Sequence, residues 1–320
     1  MQLVINSPGT YITQKDGLFR LRNKDKRFDV SPLKIESIVI SNQAMITTQA
    51  ITTAMENNID IVFLNGYGDP IGRIWFAKMG STALIRRKQL EIAEDTKGLD
   101  LTIDMIRQKI ENQAGFLKKL MYARPGREEL FNSSLEIIDS ALLGLSTPRE
   151  SIEDARKNIM GFEGNAGRAY FQCLAKIMPG KYRFKGRSRR PSEDPFNAVL
   201  NYCYGILYSR IEKACILAGL DPYVGFLHTD NYNKKSMVFD LIEPFRIFAE
   251  QTTVYLFTGK KIKDEYFHTT DNAVSLNDKG KPVVVDAMNN HMEETVRYRK
   301  KNVKRKHIPQ HEAHRPILLT

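Results

Sequence analysis

Cysteine is scarce in this 320-residue chain, and its placement excludes a disulfide framework. Cys173, Cys203 and Cys215 are odd in number, form no C-x-x-C pair and sit among apolar neighbours. They read as buried free thiols in a reducing compartment. Long hydrophobic runs are lacking too. The N-terminus, MQLVINSPGT, has no basic stretch followed by an apolar core, so no export signal is expected. Ser37 to Met55 is uncharged, but its Ser, Thr, Asn and Gln content excludes a membrane span. The chain reads as soluble and cytoplasmic. Also missing are an adjacent His-Asp pair, a phosphate-cradling glycine loop, a Ser/His/Asp arrangement and a cysteine nucleophile. No internal repeat is visible, and no low-complexity tract beyond basic segments.

What the chain has in excess is positive charge. Lys+Arg 48 against Asp+Glu 37 gives a net +11 and a pI near 9.4. A polyanionic partner is expected, nucleic acid first, although a basic balance also serves solubility alone.

Residues 1 to about 77 have strand grammar. Gln2–Ile5, Tyr11–Gln14, Leu18–Arg22, Arg27–Val30 and Ser37–Ile40 are short β-branched or aromatic runs. Turn residues, including Ser-Pro-Gly and Lys-Asp-Gly, separate them. Thr47 to Asn57 reads as one helix, with Ile59–Leu64 and Ile71–Phe76 as further strands. From about Ser81 the pattern is helical: Leu84 to Glu94, Leu101 to Met121, Glu128 to Leu145 and Arg149 to Met178 carry apolar residues at three and four. Asp194-Pro195 is a capping side chain followed by a first-turn proline, and opens a helix over Phe196 to Ala218 that Gly219 ends. Ile247 to Phe257 is helical, Thr258 to Pro282 loop-rich, and Val283 to about Arg299 helical again. The predicted fold is α+β: an N-terminal β-rich domain over 1–80 and a larger all-α domain over 81–320.

Two windows carry chemistry. In Gly225 to Arg246, His228, Asp240 and Glu243 stand in a largely apolar surround. Asp240 and Glu243 are three apart and share a helix face. Two close carboxylates repel, and burial makes both anions costlier; a divalent cation would offset both penalties, with an imidazole completing an N/O ligand set. A capping Asp, a surface Glu and a core histidine would give the same letters. Pro244 predicts a kink or a helix start. In the second window, Gly161 to Arg168, Glu163 sits beside the apolar stripe of a long helix. Gly161, Gly164 and Gly167 cost roughly 1 kcal/mol each relative to alanine there. A site needing close approach of another backbone or a ligand explains them.

EGNAGR, FNAVLNYCYGIL (Phe196 to Leu207), GFLH and the D-L-I-E-P-F-R run, in this order, resemble the CRISPR-associated integrase-nuclease family, CRISPR-associated protein one. With the β-rich N-terminal part the resemblance covers nearly the whole chain. It implies metal-dependent DNA endonuclease and integrase activity, joining short foreign DNA fragments to a CRISPR repeat array by phosphodiester transesterification. It implies Glu163, His228 and Glu243 as metal ligands, Asp240 as an additional catalytic acid, and Mg²⁺ or Mn²⁺ as the cofactor. It further implies a homodimer contacting through the β-domain, a small ferredoxin-like CRISPR adaptation protein as partner, and double-stranded DNA as substrate. A metal-dependent hydrolase of RNA or nucleotides and a non-catalytic DNA-binding scaffold remain alternatives.

Candidate DNA contacts come from the basic loop Lys181 to Arg190, KYRFKGRSRR, where Arg183, Lys185, Arg187, Arg189 and Arg190 could clamp phosphates. Its Tyr182 and Phe184 could stack on unpaired bases; a solvated tether is the plainer reading. Arg168, Arg246 and Tyr204 are further candidates, each with a bland counterpart: solvated helix faces and a core tyrosine. The C-terminal basic run carries His307, His311 and His314, but too few acids and too little core to expect zinc. His268 and His291 read as surface or packing residues.

Overall fold

Short β-branched runs cannot bury two faces alone, and in the computed structural model they pair into two sheets. The structure describes residues 1–24, 26–65, 70–75, 82–146, 152–189, 191–228 and 234–313. Strands β1 (Gln2–Ile5), β5 (Ser37–Ile40) and β7 (Asp60–Leu64) run parallel, with Val4, Val39 and Val62 in register, and β8 (Pro70–Ile74) closes the sheet antiparallel. The SIVI of β5 is buried throughout, as a parallel strand covered on both faces requires. The second sheet has β2 (Thr10–Lys15), β3 (Leu18–Asn23) and β4 (Lys26–Val30) antiparallel, with β6 (Ala44–Ile46) parallel to β2. Asp16 and Gly17, at φ 53° and 75°, make the two-residue turn between β2 and β3. Helix α1 (Thr48–Glu56) presents Ala50 and Ala54 to a core of Ile5, Ile12, Phe19, Ile38 and Ile61. Its cap is Thr47, whose hydroxyl accepts from Ala50 N at 3.3 Å.

The remainder is mainly helical: α2 (Thr82–Ala93), α3 (Thr96–Tyr122), α4 (Glu128–Gly144), α5 (Ile152–Ile177), α6 (Pro195–Leu217), α7 (Ser236–Ile242), α8 (Arg246–Thr258), α9 (Gly280–Glu293) and α10 (Ile308–Ala313). Helix α6, apolar nearly all round, is the central member; Asp194 Oδ1 accepts from Asn197 N at 2.8 Å at its start, and Gly219 at φ 80° ends it. Helices α3, α4 and α5 pack together, and α8 and α9 close over α6.

Two expectations fail here. The segment 258–282 contains a hairpin, β9 (Phe267–Thr270) with β10 (Ala273–Leu276). The predicted helix to Arg299 stops at Glu293, and β11 (Thr295–Tyr298) pairs with β12 (Lys301–Lys304), so the larger part is mostly rather than wholly helical. Buried ion pairs tie the β-rich part to α6: Lys213 Nζ to Asp60 at 2.8 Å and Arg73 to Glu212 at 2.9 Å. Among the described residues no helix is long and apolar enough to cross a membrane.

Candidate active site

Lys109, Asn112 and Gln113 lie on one face of α3, and that face organises the site. Lys109 is 92% buried by its side chain's 8% exposure, and its ammonium contacts Glu163 from α5 and Glu243 Oε2, the latter at 2.6 Å. Asn112 Nδ2 donates to Pro244 O at 2.9 Å, fixing the turn that presents Glu243. That turn is a short 3₁₀ segment, Glu243–Phe245, between α7 and α8: Pro244 breaks the helix as expected. Arg246 grips Glu243 with both prongs, Nε to Oε2 at 2.9 Å and Nη2 to Oε1 at 2.8 Å. Burial alone would push the Glu243 carboxyl up, but Arg246 and Lys109 outweigh it and hold it well below the carboxylate range. Burial likewise works against the Lys109 and Arg246 cations, and Glu243 keeps both charged.

Asp240 faces the GFLH loop. Its Oδ2 accepts from Phe226 N (2.6 Å) and Leu227 N (3.0 Å), and its Oδ1 from His228 N (3.2 Å) and the His228 ring at Nδ1 (2.5 Å). An ionised carboxylate only accepts, so Nδ1 is the donor to Asp240; in the neutral ring Nε2 then carries the lone pair that a ligand would use. Gly225 is needed because a Cβ there would lie 2.6 Å from Ser236 Cβ. Gln89 holds the loop's start, donating to Asp221 O (2.9 Å) and Val224 O (2.7 Å).

The α5 glycines do not serve the approach of another backbone of this chain. A Cβ at Gly161, Gly164 or Gly167 would meet nothing, so no other part of the described chain approaches there. The open face they leave flanks Glu163, whose side chain is 32% exposed, and Arg168, which is exposed.

The basic loop also behaves differently. Tyr182 and Phe184 are buried: Tyr182 packs edge-on to Phe257, and Phe184 stacks on Phe196 with ring centres 4.1 Å apart. Core aromatics of this kind anchor the loop and are not free to stack on bases. Arg187 turns inward, contacting Asn197 and donating to Asn201 Oδ1 at 2.8 Å, with its guanidinium over Tyr204 at 5.5 Å. Tyr204 carries Arg246 at 4.9 Å from its ring centre and donates its hydroxyl to Glu250 Oε1 at 2.8 Å. Arg183, Lys185 and Arg189 are exposed, and Arg190 lies outside the described residues. Burial raises the Glu250 carboxyl above its ordinary range, against the pull of Tyr204 and Lys109.

Lys109 and Glu250 were missed from sequence. A signal for Lys109 existed: Ile106, Lys109, Ile110, Gln113 and Leu117 recur at helical spacing on the buried stripe. Among the described residues no three His, Cys, Asp or Glu side chains close around one point. The donor chemistry nonetheless fits a divalent ion: two carboxylates converge on a position that a stand-in cation, the Lys109 ammonium, fills, and His228 offers a free Nε2.

Two sheets joined to a helical body, with one glutamate from a long helix and a histidine and carboxylates from a following loop and turn, define the class. The family profile described as CRISPR associated protein Cas1 matches residues 3–290. The CRISPR-associated endonuclease Cas1 1 of Archaeoglobus fulgidus is 32% identical over 316 residues, spanning 95% of this chain and 91% of that protein. A casposase bound to its integration product superposes with a TM-score of 0.84 at 22% identity, over 100% of this chain and 91% of that one. A Cas6-RT-Cas1–Cas2 complex gives 0.79 at 20% identity, over 98% of this chain but 34% of that longer one. The chain belongs to the Cas1 family of CRISPR-associated proteins.

Proposed function

We propose that this chain is a divalent-metal-dependent DNA endonuclease and integrase of CRISPR adaptation. The observation that carries the reading is the convergence of Glu163 and Glu243 on one buried cationic centre. Asp240, three residues before Glu243, presents His228 with Nε2 free. Glu163, His228 and Glu243 would hold Mg²⁺ or Mn²⁺. When bound, such an ion neutralises non-bridging phosphate oxygens and aligns a hydroxyl with its leaving oxygen. Asp240 fixes the His228 tautomer, and Arg246 and Lys109 keep Glu243 ionised. Relatives bear names consistent with this chemistry: an endonuclease and a casposase caught with integrated product.

In the joining reaction a DNA 3′-hydroxyl gives up its proton as its oxygen bonds to a target phosphorus, while the bond from that phosphorus to the target's own 3′-oxygen breaks and that oxygen takes up a proton. Water in place of the 3′-hydroxyl gives strand cleavage. Arg168, Arg183, Lys185 and Arg189, all exposed, would meet phosphates; Arg187, Tyr204 and Arg246 would act from behind by holding Glu243 and the loop. The substrate is double-stranded DNA, fragment and repeat array. The working assembly is a homodimer through the β-rich domain over 1–80, with the small adaptation protein bridging two dimers.

Metal-dependent joining of a labelled DNA 3′ end to a supercoiled target is the test. Glu163→Ala, His228→Ala and Glu243→Ala should each abolish joining and cleavage in Mn²⁺. Near wild-type turnover in any two would refute the site; cleavage of RNA alone would move the reading to an RNA hydrolase.

A further inference from the structure

Three helices of the bundle, α3, α5 and α8, end at one cavity of about 390 Å³, away from the carboxylates. Its lining includes Arg124, Arg127, Lys176 and Arg183 and, among the described residues, no acidic residue. Arg124 Nη1 donates to Leu120 O at 3.0 Å, a helix-end carbonyl. Arg127, Lys176 and Arg183 are exposed, and among the described residues their side chains make no hydrogen bond and no ion pair. Two carboxylates close in sequence to lining residues or their neighbours are engaged elsewhere: Glu128 accepts from Gly126 N at 3.0 Å, and Asp264 from Lys181 and Tyr182, both at 2.7 Å.

Cations at helix C-termini are ordinarily explained by the helix dipole. That explanation is insufficient here. Each C-terminus is worth about half a negative charge, so three offset about −1.5 of the four positive charges. An excess of about 2.5 positive charges is left facing one cavity. Burial and then the neighbouring Arg127 lower the Arg124 guanidinium's proton affinity, as uncompensated like charge should.

We propose that this cavity receives a backbone phosphate of the bound DNA, a contact separate from the reacting phosphodiester; this rests on the DNA reading above. Guanidiniums fork onto phosphate oxygens in pairs, and the cavity is open enough for a phosphodiester with its sugar. Lys176 follows Glu163 by thirteen residues on the same helix, about 20 Å at 1.5 Å per residue. At 3.4 Å per step this is about six nucleotides along a strand, so the contact reads DNA length and path without reading sequence.

The test is binding of a labelled duplex of about 25 base pairs by Arg127→Ala/Lys176→Ala and by Arg183→Ala, titrated against salt. Removing two phosphate contacts should flatten the log–log salt slope by about 1.8 and weaken binding about tenfold near physiological salt, with melting temperature unchanged. A methylphosphonate placed about six linkages from the reacting phosphodiester should weaken the wild type and leave the double variant unaffected. Equal slopes for wild type and variants, with the wild type still bound, would overturn the cavity and leave the functional reading standing. A wild type with no salt-dependent DNA binding would overturn both.

Discussion

Lys109 Nζ stands 2.6 Å from Glu243 Oε2 and also contacts Glu163, so one buried ammonium joins carboxylates from two separate segments. It supplies, inside the protein, the charge that keeps two neighbouring anions folded together. Removing one partner of a buried ion pair costs about 3–5 kcal/mol. Lys109→Met should therefore lower ion-free stability by about that much in urea. The same variant lacks the competing cation and should bind Mn²⁺ at least about tenfold tighter by paramagnetic titration, roughly 1.4 kcal/mol. Unchanged Mn²⁺ affinity would place the ion away from the lysine.

Asp240 and His228 can be separated by stability. Asp240→Ala strips the acceptor from three amides, two of them buried, and each buried unpaired donor costs about 1–3 kcal/mol. His228→Ala removes a half-buried ring and no backbone acceptor, and should stay within about 1 kcal/mol of wild type. Both should lose strand joining. Equal melting curves would show that Asp240 does not hold the loop.

Helix positions were legible because α3 to α5 each carry an apolar stripe at three and four, and Asp194-Pro195 announces the start of α6. The hairpin of β11 and β12 was not. Its turn residues are Arg299 and Lys300, at φ 46° and 66°, where the usual glycine or asparagine is missing. Strand β6 is three residues long and gives no period to read. The family motifs pointed to Glu163, His228, Asp240 and Glu243, and the structure draws Glu163 and Glu243 to Lys109 and ties His228 to Asp240. Lys109 carries a charge that hides its role, although its spacing puts it on the buried stripe. The role of Asp240 toward three amides depends on a loop folding back over α7, which no local pattern specifies.

His291 supplies a pH prediction. Burial, then Arg305, lower its imidazole to about 4, and Nε2 is buried without a partner. Lys119 adds to that lowering, and Glu294 opposes it. The unfolded histidine takes its proton near 6.5, so the unfolded chain binds more protons between about 6.5 and about 4. Stability is retained above that window and falls as pH drops through it. The urea midpoint should decline from pH 7 to pH 4.5 more steeply in wild type than in His291→Leu. Parallel declines would assign the acid sensitivity to carboxylates.

Assembly follows from the number of sites. One chain holds one Glu163–Glu243 centre, and on the proposed integrase reading one such centre would perform one strand transfer. Inserting a duplex fragment takes two transfers, at opposite ends and on opposite strands. A homodimer presents two centres at a spacing fixed by its symmetry axis, which a monomer cannot do. Among the described residues the β-rich part carries no catalytic cluster, and its exposed Phe28, Leu33 and Met45 offer apolar surface for a partner copy. Light scattering at micromolar concentration should give twice the 36.7 kDa chain mass. Changing Phe28 and Met45 together to Lys should return the mass to one chain and abolish full-fragment insertion, while single-strand cleavage persists. A protein that stays monomeric with DNA and the small adaptation protein present would refute both the dimer and two-ended integration.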